Sequence, residues 1–291
     1  MDKAKVNKTV LKNLYKERTK DAYYRKYDFG LVLVIGGSEF YSGSPALSAM
    51  AAFNAGADMV KVVAPKRAAD IIASFSPNLA TYPLEGKWLE KKHLATLLTL
   101  TESAEARSRG NMAVVIGGGA GRTQETQDTI LEYLRQVSVP VVIDADAIHA
   151  LGEDTEVIKG KDFLITPHSF EFFVLTKKAV YNLPYEEKLK AVKEEAERLQ
   201  TTILLKEKPD IISNGKEIAI NKVGSPYMSV GGTGDTLAGI CGALLARNIN
   251  PFIAAQASVY INGKAGETAA NRMKEGLLAT EVIKAIPEVL H

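Results

Sequence analysis

Residues 229–239 read SVGGTGDTLAG and run straight into the apolar stretch ICGALLA. Four glycines, two threonines and one carboxylate, Asp235, stand where a folded domain ordinarily places regular helix or strand. Glycine lets a backbone come close to a ligand and take conformations other residues avoid. A helix start adds N–H groups without intrahelical partners and the positive end of the helix dipole. The stretch therefore reads as a loop entering a helix N-terminus, a cradle for a phosphate or another oxyanion. Asp235 has two readings there. One is an N-cap that satisfies backbone donors; the other is a general base that takes a proton from a hydroxyl while the N–H groups stabilise a phosphoryl group in transit. The stretch alone leaves them balanced. No Lys-Ser or Lys-Thr pair follows the glycines, so this is not a P-loop. It also stands late in the chain, far from the first strand where a dinucleotide fingerprint belongs.

Outward from this loop, short β-branched runs recur at 31–35 (LVLVI), 59–63 (MVKVV), 112–116 (MAVVI), 140–144 (PVVID), 162–166 (DFLIT), 202–206 (TILLK) and 210–213 (DIIS). Most lack alternation, as strands covered on both faces do. Between them lie helical patterns at 44–57, 65–75, 123–137, 186–199 and 251–273. Ser44 followed by Pro45 reads as an N-cap with proline at the first helical position. Alternating strands and helices predict a three-layer α/β/α architecture around a largely parallel sheet. With no internal repeat or linker, the expectation is one domain over 1–291, with residues 1–26 as an N-terminal helical arm. Ligands of such sheets bind beyond the carboxyl ends of the strands, and the unusual segments GGSEFYSGS, GGGAGR, ADA, PHSFE and EKPD follow strand ends here.

Lys+Arg 36 against Asp+Glu 34 gives a net charge of +2, too balanced for nucleic acid or an acidic membrane to be the main partner. The lone cysteine, Cys241, excludes a disulfide framework. No signal-type segment or apolar run near the ~20 residues of a membrane span is present. The expectation is a soluble, cytoplasmic protein with a small-molecule ligand. His93, His149 and His291 have no supporting neighbours and read as structural, and Trp88 and the tyrosines form no nucleic-acid stripe.

GTGD opening a late helix resembles the anion hole of the ribokinase-like superfamily. The segments VIGGSEFYSGSPALSAMAAFNAGADMVKV, VVIDADAIHAL, LITPHSFEF and MSVGGTGDTLAGICGALLA, in order from about Tyr27 to Glu267, together resemble the ADP/ATP-dependent NAD(P)H-hydrate dehydratase family. The resemblance implies dehydration of (6S)-NADHX or NADPHX at the expense of ATP or ADP. It makes Asp235 the base at the 6-hydroxyl and gives the N–H groups of Gly232, Thr233 and Gly234 the phosphoryl group. Gly234 and the segment Lys206, Glu207, Lys208, Pro209 and Asp210 border the nucleotide. Ser44, Gly119, His168 and Asp235 contact the hydrated cofactor, and Glu171 holds Mg²⁺ through water.

Asp144 and Asp146 follow a buried-type strand, where two carboxylates can hold Mg²⁺ or orient hydroxyls, or one can cap the next helix; Asp144 is the one read as a substrate contact. Arg122 reads as a phosphate contact or a solvated arginine. Three positions depart from the family pattern. Glu207 stands for a glycine and disturbs a close backbone contact, Phe170 stands for a glycine, and Gly118 stands for a proline, so that turn is expected to be looser. In some relatives an epimerase domain precedes this one; the roughly 26 residues before the first motif are too few for it. Relatives form symmetric oligomers, often tetramers, and the alanine-rich helix at 44–57 reads as a surface for a partner. The nearest rival is a small-molecule kinase of the same superfamily, acting on hydroxymethylpyrimidine, hydroxyethylthiazole or a sugar.

Overall fold

All five residues of LVLVI at 31–35 are buried, which a strand achieves only when both faces of its sheet are covered. The computed structural model describes residues 3–12, 14, 15 and 18–290. Its first half runs β1 (Lys3–Lys5), β2 (Leu31–Ile35), α1 (Gly43–Asn54), β3 (Met59–Pro65), α2 (Lys66–Phe75), β4 (Ala80–Leu84), α3 (Leu94–Ser108), β5 (Met112–Ile116) and α4 (Gln124–Gln136). There follow β6 (Val141–Ile143), α5 (Asp146–Leu151), β7 (Phe163–Ile165), α6 (Ser169–Thr176), α7 (Tyr185–Leu199), β8 (Thr202–Leu205), β9 (Asp210–Ser213) and β10 (Ile218–Asn221). The chain ends with α8 (Thr233–Leu245), α9 (Pro251–Met273) and α10 (Ala279–Ala285).

The strands form one sheet in the order β1-β10-β9-β8-β7-β6-β5-β2-β3-β4. Every neighbouring pair is parallel except those made by β9, which runs against both β8 and β10. Side chains alternate across the pleat. Val32 and Val34 of β2 therefore face a core under α1, α2, α8, α9 and α10, and Leu31, Leu33 and Ile35 face a second core under α3 to α7. The expected three layers are present. From β2 the chain steps one way to β3 and β4, then returns to β5 on the other side of β2. Such a reversal opens a crevice at the strands' carboxyl ends, and the loops there begin Gly36-Gly37 and Gly117-Gly118.

Three expectations change. The N-terminal arm is not helical over its described residues: Lys3–Lys5 adds a strand to the sheet edge, parallel to β10, and Lys8–Leu11 is one 3₁₀ turn. Edge pairing satisfies a backbone that KAK has no apolar face to bury as a helix; Met1, Asp2, Asn13, Lys16 and Glu17 of the arm lie outside the described residues, as does His291. The alanine-rich helix α1 spends its small face inside the chain. Ala46, Ala49, Ala51 and Ala52 are buried, and a Cβ on Gly239 of α8 would meet the Ser48 carbonyl oxygen at 2.1 Å. Finally, α1 starts at Gly43 and its N-cap position is Ser42, so Ser44 is not the cap and Pro45 is the third helical residue. Proline is tolerated there because first-turn N–H groups have no intrahelical acceptor.

Candidate active site

The loop at 229–232 enters α8 through Gly232, whose φ of +96° suits glycine and whose missing Cβ would lie 2.6 Å from Leu47 Cδ1. The first intrahelical bond is Thr236 N–H to the Gly232 carbonyl, 2.9 Å. The N–H groups of Thr233, Gly234 and Asp235 precede it and stay open to a ligand. The Thr233 hydroxyl is spent on the loop, donating to the carbonyls of Met228 (3.0 Å) and Val230 (3.1 Å). Gly232, and not Asp235, holds the N-cap position. Asp235 is the third helical residue and caps nothing with its side chain; a Cβ on Gly118 would lie 3.2 Å from its Oδ1 and 3.1 Å from Ser44 Cβ.

Burial, aided by the negative charge of Asp144, pushes Asp235 up to about 7 against the opposing pull of Ser44 and Lys206. A carboxyl so placed is half ionised at neutral pH. Lys206 supplies the local cation. Its Nζ lies 2.8 Å from Asp144 Oδ1 and 3.6 Å from Glu171 Oε2, and a Cβ on Gly234 would sit 3.6 Å from it. Burial alone would lower the Lys206 ammonium, but Asp144, Glu171 and Asp235 together hold it above the usual lysine range. Asp144 also accepts from the Thr166 hydroxyl at 2.7 Å. It can sit this deep because Gly117 has no side chain: a Cβ there would lie 2.0 Å from the Asp144 carbonyl oxygen.

Two cavities approach Asp235, one lined by its neighbour Gly234 and the other by Ser44. The first, about 400 Å³, lies between the segment 206–210, the loop 222–229 and helices α8 and α9. Gly234 and Lys206 stand at its inner end, with an apolar side formed by Val223, Met228, Leu237 and Val259. On its floor Asp210, pushed up to about 6 by burial, accepts from Asn221 Nδ2 (2.8 Å) and from the Glu207 N–H (3.2 Å). The second cavity, about 420 Å³, is lined by Tyr41, Ser44, Trp88, Gly119, Gly121, Arg122 and Asp146. Asp146 accepts from the Gly121 N–H (2.8 Å) and from Arg122 Nε (2.7 Å).

A family model described as NAD(P)H-hydrate dehydratase matches residues 32–288. The chain belongs to this family. It is 39% identical over 270 residues to the bifunctional NAD(P)H-hydrate repair enzyme of Methanothermobacter thermautotrophicus, covering 91% of this chain and 50% of that protein. It is 34% identical to the ADP-dependent (S)-NAD(P)H-hydrate dehydratase of Cenarchaeum symbiosum, with 91% of this chain and 90% of that one covered. The chain spans about half the length of the bifunctional repair enzymes it matches. Among solved structures, the ADP/ATP-dependent NAD(P)H-hydrate dehydratase of Bacillus subtilis, co-crystallised with ATP and Mg²⁺, superimposes with a TM-score of 0.78 at 23% identity, over 99% and 98% of the two chains. A ribokinase from Thermotoga maritima shares the fold at 0.60 and 16% identity, over 89% and 99%.

Within this family member, most of the residues singled out in the sequence converge on the strand ends. Glu207 does not intrude on the first cavity as a free carboxylate: Lys188 Nζ holds it at 2.7 Å and the Ser169 hydroxyl bonds it. The turn at Gly118 is not loose, since its carbonyl accepts from the Gly37 N–H at 2.9 Å and Gly117 donates to Ile35 at 3.1 Å. His168 caps α6 through Nδ1, and Glu171 returns a bond to the His168 N–H at 2.9 Å. His93 is a satisfied core residue bonded to the backbone of Glu90 and Glu85. His149 is not in the core: it stands at the site's rim beside Phe170, ring centroids 6.2 Å apart. Asp146 and Thr166 lie inside the quoted segments VVIDADAIHAL and LITPHSFEF, whereas Trp88 joins the site without a motif of its own, because loop and strand ends distant in sequence meet only after folding.

For Mg²⁺ the test is the donor set. Among the described residues no cluster of three His, Cys, Asp or Glu side chains forms a cage. Lys206 already stands between Asp144 and Glu171. Asp144 Oδ2 carries no hydrogen bond from a described residue, and Glu171 Oε1 is approached only by His168 Nε2, at 3.4 Å. That set suits an ion brought in on phosphates, which needs one or two protein carboxylates.

Proposed function

We propose that this chain works as one domain, an ADP- or ATP-driven (S)-NAD(P)H-hydrate dehydratase, a hydro-lyase of nicotinamide cofactor repair. The observation that carries the reading is the carboxyl of Asp235, poised near neutral pH at the glycine-rich start of α8, beside Gly234 of the first cavity and Ser44 of the second. The first cavity takes the adenine nucleotide, along Lys206, Glu207, Lys208, Pro209, Asp210 and Gly234. The second takes the hydrated cofactor, against Ser44, Gly119 and Asp235, with His168 and Asp144 at its edge.

Hydroxide is a poor leaving group. Asp235 removes the proton of the 6-hydroxyl, whose oxygen attacks the terminal phosphoryl group, and the bond to the departing nucleotide breaks. The N–H groups of Gly232, Thr233 and Gly234 and the Lys206 ammonium stabilise the charge in transit. The ring nitrogen then drives out phosphate, and loss of a proton from the adjacent carbon restores the dihydronicotinamide. Mg²⁺ carried on the nucleotide would be held by Glu171, with Asp144 beside it, and would neutralise phosphate charge. The protein acts in the cytoplasm, where both nucleotides are free, and as a homo-oligomer, with light scattering at a tetramer's mass as the expected result.

Incubation with NADHX, Mg²⁺ and ADP or ATP should restore the reduced-nicotinamide absorbance; no recovery with either nucleotide sinks the reading. Asp235→Asn should lower turnover at least ~100-fold and leave nucleotide binding largely intact. A stable phosphorylated product would point to the kinase rival instead.

A further inference from the structure

Asn262 lies on the face of α9 that closes the first cavity, and it is 7% exposed. Its Nδ2 donates to the carbonyl of Thr233, at the start of the anion cradle, at 3.3 Å. That bond orients the amide, because only the nitrogen can face a carbonyl. Oδ1 is left buried with no hydrogen-bond partner among the described residues. Native interiors seldom leave an acceptor unpaired without a reason. The cavity's other asparagine is satisfied: Asn221 donates to Asp210 (2.8 Å) and Val223 (3.1 Å) and accepts from the Val223 N–H (3.2 Å). The two other unpaired buried oxygens, on Ser38 and Ser258, do not line it.

The neighbours of Asn262 define what reaches that oxygen. Val259 and Gly263 flank it on α9, and a Cβ on Gly263 would lie 2.7 Å from the Val223 carbonyl oxygen, so the loop 222–229 presses on the helix. Asn262 thus stands where the apolar slot of Val223, Leu237 and Val259 joins the cradle. We infer that Asn262 Oδ1 accepts a hydrogen bond from the nucleoside part of the bound nucleotide, so that one amide both reads the nucleoside and holds the cradle's first carbonyl. The inference rests on the assignment of this cavity to an adenine nucleotide. The donors such a ligand offers are the exocyclic amine and the two ribose hydroxyls.

Calorimetric binding of ADP, inosine diphosphate, 2′-deoxy-ADP and 3′-deoxy-ADP to the full chain separates these sources. The wild type should bind one of the three analogues about 5- to 10-fold more weakly than ADP. Asn262→Ala should bind ADP weaker by a similar factor and distinguish that analogue from ADP less than about 2-fold. Asn262→Asp keeps an acceptor of the same shape and should retain the discrimination; Asn262→Ser, too short to reach, stands in if the alanine variant does not fold. ADP binding unchanged in Asn262→Ala, or analogue preferences equal to those of the wild type, overturns the inference alone. A wild-type chain that binds no adenine nucleotide overturns the cavity's assignment, and this inference with it.

Discussion

At the scale of one residue, Asp235 makes a commitment about pH. With its carboxyl pushed up to about 7, the proposed base role requires the ionised form, so kcat/KM should rise with pH through about 7 and level off above it. Asp144→Asn removes a neighbouring negative charge and should move the inflection down, whereas Lys206→Met removes the opposing cation and should move it up. A pH–rate profile of the three proteins checks the order. The same group has a stability consequence. Its folded value lies above the ordinary 3.8, so its contribution is present below about pH 4 and lost as pH rises through about 7. Asp210, pushed up to about 6, acts in the same direction. Asp235→Asn should therefore melt with the wild type near pH 4 and above it at pH 8, with thermal melts across that range as the measurement.

At the scale of an element, the start of α8 shows what a sequence can and cannot reveal. The glycines, the acid and the apolar run predict a glycine loop entering a helix, and α8 starts that way, with Gly232 at its N-cap. The cap reading of Asp235 falls because Gly232 holds the N-cap, and the neighbour that its side chain meets instead, Gly118, lies on another strand end and reaches it only through the fold. Ser-Pro at 44–45 is a local capping signal, but the cap falls two residues earlier at Ser42, and Ser44 lines the second cavity instead. Strands β1, β4 and β10 left weak traces for related reasons: KAK has no apolar face, ATYPL carries an edge proline, and IAIN is short. Asn262 lies among the small residues of α9, and no spacing marks it. The glycines differ among themselves in a testable way. Gly232→Ala meets a positive φ and contacts at 2.6 and 2.9 Å with Leu47 and Ala279, and should cost about 2–4 kcal/mol. Gly231→Ala meets nothing within 4 Å and should stay within about 0.5 kcal/mol. Urea midpoints of the two variants separate them.

At the scale of the whole molecule, the return of the chain from β4 to β5 is what assembles the site. It brings the turn after β5 against α8, with Gly118 beside Asp235, so a nucleotide in the proposed site would be coupled to the core rather than to a peripheral flap. The first cavity is walled by α8 and α9, and no helix among the described residues is long and apolar enough to cross a membrane. Cys241 turns this coupling into a measurement. It is fully buried on α8, and burial pushes its thiol up to about 12, so a thiol reagent has neither access nor thiolate in the native state. Labelling must wait for α8 to leave the core, and where reclosing is fast its rate follows the open population. ADP at 100 times its Kd lowers that population about 100-fold, equivalent to about 2.7 kcal/mol. Labelling of Cys241 should slow by about that factor with ADP and not with inorganic phosphate at the same concentration. Equal rates with and without saturating ADP would mean that α8 opens without disturbing the nucleotide site, and the coupling argued from the topology would be wrong.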